Sequence, residues 1–345
     1  MLKIISSFRI KRKFSYYSSK ILGIQLLRVI LSFMVIIDNL CKRDIKKYNF
    51  ILYYHIPTFF IISFYFTYKT FISYDIKKTK LRLERLFIPY IIWSFISWIL
   101  KYFEIKNIKF LYSLKIFIIH LINGHMFNYS LWFQNILILI TISFIIIVYL
   151  FKRNCLKAFV FIYIICYILQ YSEINYKFFS NNFTINSSAT FGRFVEAFPN
   201  AISGFYLSYI NIIPIVKKNK KIILFFNILF LLITIFHKFD KFHNFKYGGI
   251  RLNLAGISIF IFFSYLPLEN LRNKILIKIF LLITSHTGGI YFIHRLIGNG
   301  YLFSKLFPSI KGTFSGCIIV YLISFLISFT GNKMLKNTKL KHIFA

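Results

Sequence analysis

Gly23-Ile-Gln-Leu-Leu-Arg28-Val-Ile-Leu-Ser-Phe-Met-Val-Ile-Ile-Asp38-Asn39-Leu40 is apolar enough to cross a bilayer, yet it carries an arginine, an aspartate and an asparagine. The eleven steps from Arg28 to Asn39 make about three helical turns and about 16 Å, so the two side chains share nearly one face. Ser32 and Val35 fall between them on that face. Asp38, one step earlier than Asn39, is turned about 80° from the Arg28 direction. A charge inside a membrane costs a few kcal/mol on insertion scales, which makes Arg28 a candidate for function. The alternative is an arginine that snorkels to the cytoplasmic headgroups.

The rest of the chain has the same character. Of its 345 residues 58% are hydrophobic, with a mean hydropathy of +0.67, well above the apolar share of a soluble domain. Apolar runs recur near 22–40, 50–68, 86–102, 131–151, 156–171, 194–213, 222–237, 250–266, 276–297 and 314–331. Each is near the length of a membrane-crossing helix, so the expected fold is an all-α integral membrane protein of about ten transmembrane helices. The stretch 108–122 is interrupted by Lys109, Lys115 and His120 and reads as an interfacial or re-entrant piece.

Lys and Arg number 44 against 9 Asp and Glu, a net charge of +35 that in a soluble chain would suggest nucleic acid. Here the basic residues sit in short loops between apolar runs, so the expected partner is anionic lipid and not nucleic acid. Counted loop by loop, their bias favours both termini in the cytoplasm. The chain then divides into a basic N-terminal segment (1–21), a transmembrane domain (22–331) and a basic cytoplasmic tail (332–345). With no small-residue cleavage site after it, the N-terminal segment reads as the anchor of an uncleaved first helix. The polar loops 103–130 and 172–193 fall outside, and in them Asn128-Tyr-Ser130, Asn182-Phe-Thr184 and Asn186-Ser-Ser188 fit the glycosylation acceptor pattern. Cys41, Cys155, Cys166 and Cys317 show no metal spacing, and no metal is expected.

Three further stretches carry groups capable of chemistry. In Lys80-Leu-Arg82-Leu-Glu84-Arg85-Leu-Phe-Ile-Pro89-Tyr-Ile-Ile-Trp93, Arg82 and Arg85 are helical neighbours at the inner mouth of a span. Two guanidinium groups there suit a phosphate-bearing ligand, while the plainer reading is a positive-inside anchor. Gly124-His125-Met-Phe-Asn-Tyr129-Ser-Leu131-Trp132-Phe133 leads from the long loop into the fourth span, with Trp132 placed as in an aromatic belt. Thr284-Ser285-His286-Thr287-Gly288-Gly289-Ile290-Tyr291-Phe-Ile-His294-Arg295 puts polar residues and a double glycine at mid-depth of the ninth span. Irregular backbone at that depth is tolerated only against protein or a wet cavity, so a cavity is expected. His286 and His294 are proton acceptors near neutral pH, and the acids against spans are Asp38, Glu84 and Glu196. No nucleophile elbow, phosphate-binding loop or dinucleotide fingerprint is present.

Taken in order, these stretches resemble the acyltransferase-3 family of integral membrane acyltransferases, over roughly residues 22 to 331. The carriers are Leu27-Arg28, His55-Ile-Pro57-Thr-Phe-Phe-Ile-Ile-Ser63, Arg82-Leu-Glu-Arg85 with Ile88-Pro89-Tyr90-Ile-Ile-Trp93, Leu131-Trp132-Phe133, and Gly289-Ile290-Tyr291-Phe-Ile-His294. The resemblance implies an O-acyltransferase of the cell membrane. Such an enzyme takes an acyl group from cytoplasmic acyl-CoA, acetyl-CoA above all, and passes it to a sugar hydroxyl of an envelope or capsular polysaccharide or lipid-linked glycan. Arg28, Arg82, Arg85 and Trp132 would then serve the donor. The family carries a histidine at the place of Asn39, and an amide is no base, so Asp38 or His294 is expected to substitute. The other reading is a catalytically inactive or transporter-like protein that assists polysaccharide export.

Overall fold

Inside lipid a backbone must satisfy its own hydrogen bonds, and long apolar runs joined by short basic turns do so as helices. The computed structural model describes residues 22–41, 54–104, 110–123, 131–171, 185–237, 249–266, 274–298, 312–335, 337–338 and 343–344. The segment 1–21, His125, the acceptor patterns at Asn128 and Asn182 and most of the loop 172–193 lie outside the described residues. Among those described, every regular element is helical.

The helices are α1 (Leu22–Leu40), α2 (His55–Ile72), α3 (Ile76–Glu104), α4 (Phe110–Asn123), α5 (Trp132–Phe151), α6 (Cys155–Tyr171) and α7 (Ile185–Tyr209). They continue as α8 (Ile212–Lys218), α9 (Lys220–His237), α10 (Ile250–Tyr265), α11 (Lys274–Ser285), α12 (Thr287–Gly298) and α13 (Phe314–Leu335). Among the described residues, four segments are long and apolar enough to cross a membrane: Leu22–Leu40, Ile76–Leu100, Trp132–Gln170 and Phe314–Leu335. The third of these contains α5 and α6, folded back on each other through a short turn at Lys152–Asn154. The interrupted stretch near 108–122 is the 14-residue α4. It lies against α3, where the Tyr90 hydroxyl donates to the Leu121 carbonyl at 2.6 Å and the Trp98 indole donates to Ser113.

The centre of the bundle is α2. Phe60 and Phe64 of α2 pack with Phe144 of α5, Phe159 of α6 and Phe198 and Phe205 of α7, and the Phe144 and Phe159 rings stack at 4.3 Å. Lipid tails give helices no hydrophobic reason to associate, so close backbone approach carries the packing. Gly204 of α7 supplies it: a Cβ there would collide with the Ile61 carbonyl of α2. On the other side of α2, Leu27 and Leu31 of α1 share a cluster with Ile61 and with Phe260 and Ile261 of α10.

The ninth apolar run is broken in two. Thr284, Ser285 and Thr287 each turn a hydroxyl back onto a carbonyl of the preceding turn, at 2.7, 2.7 and 3.0 Å, and the helix stops at Ser285 and restarts at Thr287. Such back-bonding competes with the helix, and the double glycine lowers its propensity further. Gly289 then lets α12 touch α13, since a Cβ at that position would collide with Ser328 Oγ. Ile343 and Phe344 close this corner. The Ser328 hydroxyl donates to the Phe344 carbonyl at 2.7 Å, the Trp93 indole of α3 donates to the Ile343 carbonyl at 3.1 Å, and His286 lies 3.0 Å from Ser328 Oγ.

Candidate active site

Arg28 is held at the broken helix. Its guanidinium donates to Gln25 Oε1 at 3.2 Å, one turn back on α1, and to Thr287 Oγ1 at 3.1 Å, the first residue of α12. The side chain therefore enters the bundle, where a snorkelling arginine would leave it. Arg82 enters from α3: it donates to Ser63 Oγ of α2 at 3.0 Å and lies 5.4 Å from the centre of the Phe64 ring. Its Nε is buried with no hydrogen-bond partner among the described residues. Arg85, one turn on, is exposed. Arg28 is thus bonded to α1 and α12, and Arg82 to α2.

Three turns from Arg28, the other end of α1 borders a cavity of about 30 Å³, which is room for a water or two. Four helices line it: Asp38 and Asn39 from α1, His55 from α2, Trp132 and Phe133 from α5, and Tyr291 from α12. The Asn39 amide donates to the Val35 carbonyl of its own helix at 2.8 Å. His55 is the first residue of α2 and is 1% exposed. The Tyr291 hydroxyl is buried and makes no hydrogen bond among the described residues. Behind Trp132, the Arg193 guanidinium of α7 stacks 4.6 Å from the centre of the indole ring, a cation–π contact.

One turn past Tyr291, His294 is fully buried. Its Nδ1 lies 2.6 Å from the Tyr291 carbonyl and 3.3 Å from the Ile290 carbonyl. Both neighbours are acceptors, so Nδ1 carries a proton, and in the neutral ring the lone pair lies on Nε2. That Nε2 is buried and has no partner among the described residues. His294 commits its Nδ1 to its own helix turn, and it does not border the cavity.

A family model for an acyltransferase domain, Acyl_transf_3, matches residues 21–330. The chain belongs to the acyltransferase-3 family. It is a membrane acyltransferase. No curated protein and no solved structure matches it.

For an acyltransferase the arrangement separates two kinds of group along α1. Arg28, and Arg82 across the bundle, offer fixed positive charge. The cavity holds a carboxylate, an imidazole and a phenol, which are groups that accept or donate a proton. Of the residues singled out from the sequence, Asp38 and Trp132 meet at this cavity, whereas Arg28, Arg82, Arg85 and His294 stand elsewhere. Trp132, expected beside the donor arginines, borders the same space as Asp38. His55, Tyr291 and Arg193 had no role assigned from sequence. The signal for His55 was a polar residue inside the apolar run 50–68, two places before Pro57. No group of three or more His, Cys, Asp or Glu side chains is arranged for a metal among the described residues.

Proposed function

We propose that this acyltransferase moves an acyl group, acetyl in the simplest case, from cytoplasmic acyl-CoA to a sugar hydroxyl of an envelope or capsular polysaccharide or its lipid-linked precursor. The observation that carries the reading is the cavity at one end of α1, with Asp38 on its wall and Arg28 three turns away on the same helix. In this arrangement Arg28, Arg82 and Arg85 hold the anionic carrier near the inner leaflet, and Asp38 or His294 accepts the hydroxyl proton nearer the outer one. Ten crossings, both termini in the cytoplasm and a plasma-membrane location complete the arrangement, with the basic loops resting on anionic lipid. The domain then runs over residues 22–331, between a basic N-terminal segment and a basic tail.

Asn39 favours a second reading, a catalytically inactive or transporter-like protein that assists export, because an amide cannot take up the proton. One experiment separates the two. Deleting the gene is expected to remove alkali-labile acyl esters from the surface polysaccharide without abolishing the polymer. Loss of the polymer itself, with no change in esterification of what remains, would select export. Complementation with a variant carrying Asp38→Ala and His294→Ala together is expected to leave the esters absent, and full restoration by that variant would remove both residues as proton acceptors.

A further inference from the structure

The cavity contains a second proton acceptor that the reading above does not use. We infer that His55, at the start of α2, is the group that deprotonates the acceptor hydroxyl. This inference rests on the acyl-transfer reading; it puts His55 in place of Asp38 or His294 as the proton acceptor and leaves the donor side and the cavity as they stand.

Three observations converge on His55. It is buried, and it borders the cavity together with Asp38 and Asn39 of α1 and Tyr291 of α12. His294, the other buried histidine of this region, borders no part of that space and spends its Nδ1 proton on its own helix turn. Finally, α2 is closely packed along its length: Gly204 brings α7 onto the Ile61 carbonyl, and the Phe60 and Phe64 rings lie in the aromatic core. A base carried on such an element keeps its place when substrate arrives.

Chemistry also separates the two acceptors in the cavity. A free carboxylate has a pKa near 4 and a free imidazole one near 6.5, so the imidazole is the stronger base at neutral pH. Asp38 shares the cavity with the ring and balances the charge of the imidazolium as it forms, the role a buried aspartate plays toward a catalytic histidine. The step balances without a further reagent. The O–H bond of the acceptor breaks and its proton moves to a His55 ring nitrogen. The oxygen bonds the thioester carbonyl carbon while the C–S bond breaks, and the leaving thiolate takes the proton back from His55 to depart as a thiol.

The test uses the full chain in a strain lacking its own copy, scored by alkali-labile acyl esters on the surface polysaccharide, with acetyl-CoA binding by the purified protein as the control for folding. His55→Gln is expected to lower esterification by at least about 100-fold, the usual worth of a general base, and to leave acetyl-CoA binding unchanged. Asn39 borders the same cavity from α1, so Asn39→His added to His55→Gln is expected to restore at least about a tenth of the wild-type level. A packing role for His55 would not be rescued from another helix. The inference is overturned if His55→Gln retains wild-type esterification, or if it loses acetyl-CoA binding together with activity. It is equally overturned if the double variant binds acetyl-CoA and stays inactive. Absence of the esters in the strain complemented with wild-type protein would instead strike the acyl-transfer reading, and the role of His55 with it.

Discussion

Two buried polar regions of this bundle are built in opposite ways. Between α6, α7 and α10, Asn253 Nδ2 donates to Asn200 Oδ1 at 2.8 Å, while Asn253 Oδ1 accepts from Ser203 at 3.0 Å and from Tyr163 at 3.2 Å. Asn200 passes the chain on to the Glu196 carbonyl at 3.1 Å. Beside the cavity between α1, α2, α5 and α12, the Tyr291 hydroxyl and His294 Nε2 are buried with no partner among the described residues. A buried polar group left unsatisfied costs stability, so a fold keeps one chiefly where something else uses it. The Asn253 node fixes helices; the α12 groups hold bonding capacity in reserve.

That contrast predicts opposite responses to substitution. Asn253→Leu strips a partner from Asn200, Ser203 and Tyr163 at once. With about 0.6 kcal/mol for a typical interhelical bond in a membrane protein, the expected loss is about 2 kcal/mol, visible as a lower thermal midpoint in detergent. An unchanged midpoint would erase the distinction between the two regions. Tyr291→Phe removes a buried hydroxyl that lacks a close hydrogen-bond partner among the described residues, so its midpoint should stay within about 0.5 kcal/mol of wild type. If the hydroxyl is kept for substrate, ester formation on the surface polysaccharide should still drop about tenfold, the worth of one hydrogen bond. Full activity would make the orphaned hydroxyl an accident of packing.

The smallest effect belongs to a polar contact in neither region. Asp75 precedes α3, with its carboxylate 2.8 Å from the Lys78 ammonium and accepting the Lys78 backbone N–H at 3.0 Å. Lys78, first through its side chain and then through its N–H, holds the Asp75 carboxyl below the ordinary carboxylate range. A depressed folded-state pKa gives stability that is present above the unfolded value and lost as pH falls through the folded one. Asp75→Ala should therefore differ slightly from wild type at neutral pH, and the two midpoints should converge in acid. A gap that widened on acidification would reverse the sign.

The helices were legible because apolar length is written along the chain, and the break near His286 because hydroxyl side chains and glycines compete with a helix wherever they cluster. The candidate site was legible in halves. Arg28, Asp38 and Asn39 share one helix, so their spacing alone fixes their separation along α1. Arg82 and Arg85 look equivalent at a spacing of three, yet packing against Ser63 and Phe64 draws Arg82 inward and leaves Arg85 exposed. His55 looked like part of an apolar run, because no periodicity tells which neighbouring helix it will meet. The cavity joins α1 and α2 to α5 and α12, which lie far along the chain, and their meeting is a property of packing.

Ile343 and Phe344 are two apolar residues beyond the last helix, yet their carbonyls receive bonds from α3 and α13, and His286 at the break between α11 and α12 reaches the same corner. None of these helices can swing away from the others until that knot is untied. Deleting residues 343–345 should thus loosen the corner where α3, α13 and the α11–α12 break meet more than trimming a whole turn from an exposed helix end.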